Sequence, residues 1–205
     1  MKIPTKDIVA VAKATLIFAA KNDVRYYLNG VHLVCKDGKL TVEATDGHRA
    51  AQVFVNCPDE QCEFDVIVDR DTWAAISRIK TTRKDESFVT LSVLDGEHES
   101  GILTQSNDAT LPLKFVDGKF PDVSRVIRSA PSKAETQVTV RVNAIYASDA
   151  FKAAAILANP KYKGTKFIVT TANDVLTLET PTDHGEFESL SEPALFAVMP
   201  MRFNP

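Results

Sequence analysis

A pair of β-type segments closed by a short polar turn occurs three times in this chain, each time after one amphipathic helical segment. Few sequence features restrict a fold as much, because each helix and each sheet must bury one face against another element. In the first pair, Val31–Cys35 and Leu40–Ala44 flank Lys36-Asp37-Gly38-Lys39, and Asp-Gly between alternating segments signals a hairpin. Val31, Leu33 and Cys35 are expected on one face, with His32 and Val34 on the other and His32 open to solvent. The second pair, Ser87–Leu94 and Gly101–Gln105, closes at Asp95-Gly96; the third, Lys166–Thr170 and Val175–Glu179, closes at Asn173-Asp174. Further strands are expected at Gln52–Asn56, Phe64–Val68, Leu111–Val116, Val138–Val142 and Leu195–Met199. The first and third units echo each other weakly, Gly30-Val31-His32-Leu33 against Gly164-Thr165-Lys166-Phe167.

Three helices accompany the pairs. Lys6 to about Lys21 is the first, with Thr5 or Asp7 as its cap. Asp71–Lys80 is the second, with Asp69 or Asp71 at its start and Trp73, Ile76 and Ile79 at core spacing. Trp73 is expected as a core anchor rather than a stacking platform. Ala144–Ala158 is the third. Lys6, Lys13 and Lys21 share one broad face of the first, and Ser148, Lys152, Asn159 and Lys163 recur at helical spacing in the last. A solvated outer face is the commoner use of such stripes. The pattern is α+β, sheets on one side and helices on the other. The residues between are read as loops: Asp117–Val126, the small polar stretch Ser129–Thr136 as a linker, and the acidic, turn-rich Pro181–Pro193.

Composition narrows the function. With 205 residues, 44% hydrophobic and 25% charged, the chain can bury a sizeable core. A net charge of −3 argues against a wholly basic nucleic-acid binder but leaves room for a local basic face. Cys35, Cys57 and Cys62 are odd in number and lack a second Cys or His pair, so reduced thiols are expected and no metal or cofactor. Ala14–Ala20, the longest apolar run, is far too short to span a bilayer, and a cytoplasmic protein without membrane contact is expected.

No catalytic set is evident. His48 follows Asp46, yet there is no nucleophile elbow and no Gly-rich phosphate loop. Tyr26 and Tyr27 stand beside Lys21, Asn22 and Arg25; adjacent strand residues point opposite ways, so at most one tyrosine is expected in the core. An exposed one beside Lys and Arg suits a nucleic-acid backbone. Two methionines around a proline in AVMPMR can form an adaptable apolar surface, although core packing is the default for a final strand.

Taken together, VRYYLNG (24–30), ATDGHR (44–49), FVDGKFPD (115–122), Ser124-Arg125-Val126, AAIL before Asn159 and the closing VMPMR resemble the bacterial DNA polymerase III β sliding clamp, in the family's order and across the chain. The resemblance implies a clamp fold and a non-enzymatic processivity factor that passes duplex DNA through a ring without reading sequence. It implies a peptide-docking pocket from Leu28, Thr45, Gly47, His48, Arg49, Pro121, Arg125, Val126, Val198, Met199, Pro200, Met201 and Arg202. Polymerase and clamp-loader subunits would bind there through short linear motifs. Ala50 and Ala197 are smaller than the family's usual residues, implying a wider or shallower pocket. DNA contact is implied at Lys13, Lys21, Asn22, Arg25, Tyr26, Tyr27, Arg70, Arg78, Lys152 and Lys163.

The same resemblance implies residues 1–128 as a central-type domain, 129–136 as a linker and 137–205 as a truncated C-terminal-type domain. The family's N-terminal domain is expected to have no counterpart, and the third domain is expected to keep its first helix and hairpin but to lack its second helix. Three units against the ring's twelve imply four chains per ring, or three with compression. The alternative is a module that closes no ring and competes for clamp-binding proteins.

Overall fold

The computed structural model describes residues 1–57, 62–82, 86–93, 100–128, 140–159, 161, 164–169, 175–182, 184, 187–190 and 192–201. The expected linker 129–136, Lys163 and Arg202 lie outside them. Unit 1 comprises β1 (Lys2–Pro4), α1 (Thr5–Leu16), a 3₁₀ turn (Tyr26–Leu28), β2 (Gly30–Lys36), β3 (Lys39–Thr45) and β4 (Arg49–Asn56). Unit 2 comprises β5 (Phe64–Asp69), α2 (Arg70–Ser77), β6 (Phe88–Val93), β7 (Ser100–Gln105) and β8 (Thr110–Val116). A short helix α3 (Val123–Arg128) follows. Unit 3 comprises α4 (Ala144–Leu157), β9 (Lys166–Ile168), β10 (Leu176–Glu179) and β11 (Leu195–Val198). In place of the strand expected at Val138–Val142, the described part holds a single antiparallel bridge, Val142 to Pro200.

Among the described residues eleven strands join in one sheet, ordered β1-β6-β7-β8-β5-β2-β3-β4-β11-β10-β9, with antiparallel ladders throughout. Alternation of side chains splits it into two faces. Val31, Leu33 and Cys35 on β2, Ala51, Val53 and Val55 on β4, and Phe196 and Val198 on β11 bury against α1, α2 and α4 in the main core. Ala50, Ile67 and Ala197 turn the other way. There they meet Leu28, Phe120, Val123 and Ile127 in a smaller core beneath α3.

Helix starts follow local chemistry, with one correction. Asp69 caps α2, its carboxylate accepting from the backbone N–H of Asp71 and Thr72, and Asn143 caps α4 the same way. α1 starts after Pro4 without a side-chain cap. Thr5 and Asp7 are both buried, and Asp7 instead accepts from the backbone N–H and the hydroxyl of Ser189. It fastens the acidic segment after β10 onto α1. Burial raises the Asp7 carboxyl above its ordinary range despite those bonds. α1 ends at Leu16, well short of Lys21. Trp73 is fully buried, as its spacing predicts, and its indole N–H reaches Thr15 Oγ1 at 2.9 Å.

α4, β9, β10 and β11 form one continuous unit, so the terminal strand belongs with the helix and hairpin that precede it. Cys35 and Cys57 are buried with their sulfurs against Met1 Sδ, and burial pushes the Cys57 thiol up to about 11. Among the described residues no helix is long and apolar enough to cross a membrane, and no group of three His, Cys, Asp or Glu is placed to hold a metal.

Candidate functional site

On the face away from the three main helices lies a cavity of about 220 Å³. Distant stretches of chain wall it: Arg25, Tyr27 and Leu28 at the 3₁₀ turn; Thr45, Gly47, Arg49 and Ala50 around the β3–β4 turn; Pro121, Asp122, Val123 and Val126 at α3; and Ala197 and Met199 at the end of β11. Ala50 and Ala197 face each other in register on β4 and β11 and leave the floor low. The base is apolar, and the Arg25 guanidinium stands at the rim, while that of Arg49 is drawn to the helix side by Asp149.

The β3–β4 turn is locally determined. Asp46 Oδ1 accepts from the backbone N–H of His48 and Arg49, and Thr45 Oγ1 accepts from Gly47 N–H and donates to the Arg49 carbonyl. Gly47 takes φ 87°, a left-handed conformation that favours glycine, and a Cβ there would stand 2.9 Å from Arg25 Nη1 and push that guanidinium aside. Arg25 grips Asp23 with two nitrogens, 3.0 and 2.9 Å, and also reaches the Asp46 carbonyl. Those hydrogen bonds lower the Asp23 carboxyl to about 2. Arg49 pairs with Asp46 at 2.9 Å and with Asp149 on α4, its guanidinium 4.8 Å over the Tyr146 ring. Burial alone would raise Asp149, but hydrogen bonds from Arg49 and Lys152 outweigh it and hold the carboxyl below its usual range.

A polar network supports the α3 wall. His32, expected in solvent, lies between Glu43 Oε2 at 3.0 Å and Asp65 Oδ1 at 2.7 Å, with Phe120 stacked on its ring. Burial opposes a charged imidazole here, yet the hydrogen bonds and charges of Glu43 and Asp65 win and raise its pKa. Gln52 Nε2 bridges Glu43 to Ser124 on α3.

Of the expected pocket residues, Leu28, Thr45, Gly47, Arg49, Pro121, Val126 and Met199 line the cavity. Val198 does not: it follows Ala197 by one residue, so strand alternation turns it into the main core with no exposure. His48 is exposed, its ring stacked on Tyr146 rather than engaged with the Asp46 carboxylate. Arg125, Pro200 and Met201 stand outside the cavity lining; Arg125 N–H bonds the Asp122 side chain and Met201 N–H the Arg141 carbonyl. Tyr27, Asp122 and Val123 are lining residues that sequence reading missed, and Arg25 sits on the rim.

Of the expected DNA-facing residues, Lys13, Lys21, Asn22, Arg25, Tyr26, Arg78 and Lys152 are exposed. Tyr26 and Tyr27 belong to a 3₁₀ turn, not a strand, so their separation comes from the turn; Tyr26 is outside and Tyr27 is in the cavity wall. Arg70 points inward: its Nη1 donates to the carbonyls of Leu16 and Ala19 and closes the C-terminal end of α1. Lys13, Arg78 and Lys152 share a property invisible to a simple helical wheel. Each is the ninth residue after its helix N-cap, Pro4, Asp69 and Asn143.

Comparison with known proteins decides the family. The model for the DNA polymerase III beta subunit, central domain, matches residues 2–122. The chain belongs to the DNA polymerase III beta subunit family. A beta sliding clamp of Pseudomonas putida is 34% identical over 173 residues, 84% of this chain and 44% of that protein. The beta sliding clamp of Escherichia coli K12 is 30% identical over 202 residues, 98% and 52% respectively. The chain thus spans about half the length of these relatives. Sliding-clamp structures share the fold: that from Bacillus subtilis superposes at TM-score 0.73 with 16% identity, and the Streptococcus pyogenes beta subunit at 0.75 with 17%. Each alignment takes in all or nearly all of this chain, 100% and 99%, and 64% and 66% of the other. The α+β clamp fold expected for the family is therefore the observed one.

Proposed function

We propose that this chain is a non-catalytic sliding-clamp subunit of DNA replication, its helix layer facing duplex DNA and its opposite face docking the linear motifs of polymerase and clamp-loader subunits. The observation that carries the reading is the cation at the ninth position after the N-cap of each of the three main helices. Lys13 and Lys152 are exposed on α1 and α4, Arg78 is exposed at the C-cap of α2, and all three helices pack on one face of the sheet. A row of single cations at repeat spacing favours phosphates without fixing a register, which suits sliding. Lys152 shares its charge with Asp149 at 3.1 Å, so Lys13 and Arg78 contribute most.

The cavity supports the second half. An apolar base with an arginine rim fits an apolar anchor residue on a peptide that carries a carboxylate. Residues 1–128 would act as the central-type domain and 137–205 as a reduced C-terminal-type one, joined across 129–136, with several chains closing a ring of three or four copies.

Fluorescence anisotropy with a labelled duplex tests the DNA surface. The triple variant Lys13→Glu, Arg78→Glu, Lys152→Glu should weaken binding at low salt at least about tenfold and flatten its salt dependence; unchanged affinity overturns the assignment. A second reading, a module that holds clamp-binding peptides without encircling DNA, is favoured by a cavity complete within one chain. It predicts peptide binding with no retention on circular DNA. Met199→Ala with Met201→Ala should weaken a clamp-motif peptide under either reading.

A further inference from the structure

A second, larger cavity lies on the same face as the first, and its origin is local. Among the described residues β5 and β8 pair only through Ile67 with Val116 and Val68 with Phe115. Beyond Val116 the chain leaves the sheet at Asp117-Gly118, with Gly118 at φ 128° and its backbone N–H donating to the Asp117 side chain at 2.8 Å. β5 extends alongside as far back as Phe64. Where the two part, a space of about 990 Å³ opens, walled by Asp65 and Ile67 on one side and by residues 114–120 on the other. That is the upper end of the range of ligand cavities, about 300–1,000 Å³.

A ridge, residues 117–122, divides the two cavities. Asp117, Gly118, Lys119 and Phe120 line the larger one, and Pro121 and Asp122 line the smaller. The ridge is held from both flanks. Phe120 is buried, its ring stacked on that of His32 with 4.8 Å between centroids. A Cβ on Gly118 would stand 3.1 Å from that of Tyr27, which lines the smaller cavity. A chain seated in the first cavity therefore has only this ridge to cross to reach the second.

Charge and shape select the occupant. The acidic groups of the larger cavity are engaged within the fold: Asp65 Oδ1 lies 2.7 Å from His32 Nε2, and Asp117 accepts from Gly118. Lys114 and Lys119 are exposed and, among the described residues, form no ion pair. The charge left to meet a ligand is thus positive, above an apolar base of Ile67, Val116 and Phe120. A gap between two parting strands of one sheet suits an extended chain, whose alternate side chains meet the base and the lysines.

We propose that the second cavity docks an extended, acidic segment of the partner whose apolar anchor sits in the first, so that one partner is held on both sides of the ridge. The inference rests on the docking reading of the first cavity and adds the charge and conformation of what flanks the anchor. Each half of the segment raises the local concentration of the other.

Fluorescence anisotropy with synthetic clamp-motif peptides tests it. Each peptide carries, on one end or the other, a Glu-rich extension or a Gly-Ser control extension of equal length. On the end that leads over the ridge, the Glu-rich extension should tighten binding at least about tenfold over its control. Lys114→Glu with Lys119→Glu should abolish that gain. A gain that survives the double variant overturns the proposal, and so does a Glu-rich extension that binds as tightly without the motif, since the second cavity would then be a separate site. Should the double variant fail to fold, hydrogen exchange on the wild-type chain gives the answer. Amides of residues 65–67 and 114–119 should gain protection with the Glu-rich peptide beyond that given by its control, and equal protection rejects the site. Motif peptides that bind but gain from neither extension keep the first cavity as a docking site and remove the second. Failure of every motif peptide to bind sinks the reading of the first cavity itself.

Discussion

The two faces of the sheet use the same backbone for different ends. Along β4, Ala51, Val53 and Val55 enter a core filled by Trp73, Phe18 and Phe196, all with essentially no exposure. One residue away, Ala50 looks onto a smaller core of Ala20, Ala197, Leu28, Ile67, Phe120, Val123 and Ile127, where a cavity remains. The helix face spends its large residues on filling space, which is where stability comes from. The opposite face keeps small residues in register and holds its wall with polar bonds from His32, Glu43, Gln52 and Ser124. Substitutions on the first face should therefore read out in stability, and on the second in binding.

The largest expected effect lies in the helix face. Trp73→Ala should cost about 3–5 kcal/mol of unfolding free energy, measured as a shift in the urea midpoint; a loss near that of a surface substitution would erase the contrast between the faces. Ala197→Leu should do the opposite. By filling the floor of the cavity it should lower affinity for a clamp-motif peptide about 10- to 100-fold, by calorimetric titration, with little change in the midpoint. Equal affinity would move the docking site elsewhere. Asp69→Ala removes two N-cap bonds and should cost about 1 kcal/mol, visible as a lower thermal midpoint.

The smallest effect is pH dependence on the cavity face. The folded His32 pKa is raised, so the network's contribution is full below the unfolded value of about 6.5 and fades as pH climbs through the higher folded value. His32→Gln should remove that part of the fall in stability as pH rises through the folded value. Identical pH profiles for both proteins would mean that the Glu43 and Asp65 contacts do not act on a charged ring.

Much of this was legible in the sequence. The Asp37-Gly38 hairpin, helix periodicity and Trp73 follow from local spacing, the turns expected at Asp95-Gly96 and Asn173-Asp174 lying outside the described residues, and the meeting of the Tyr-Tyr-Leu, Asp-Gly-His-Arg and Met-Pro-Met stretches follows from the family resemblance. What escaped depends on partners far along the chain. Val198 and Ala197 are both apolar, and only the ladder to β4, Ala197 against Ala50, decides which one faces the cavity. Arg70 has the composition of a DNA contact until the C-terminal end of α1 is placed beside it. α3, Val123–Arg128, follows a loop-like Asp-Gly-Lys-Phe-Pro-Asp stretch, and its six residues are too few for periodicity to register. Asp7 reads as a cap by position, and becomes a tether only once Ser189 arrives.

The register between β4 and β11 also has a mechanical meaning. It is the seam between unit 1 and unit 3, reinforced on the helix side by Arg49 against Asp149. The cavity opens over that seam, with Ala50 and Met199 on its two banks. Any side chain lodged there touches both, so bending the joint open must first expel the occupant. A docked peptide would stiffen the joint it sits on, and the chain's flexibility at that point becomes a gauge of whether the cavity is filled.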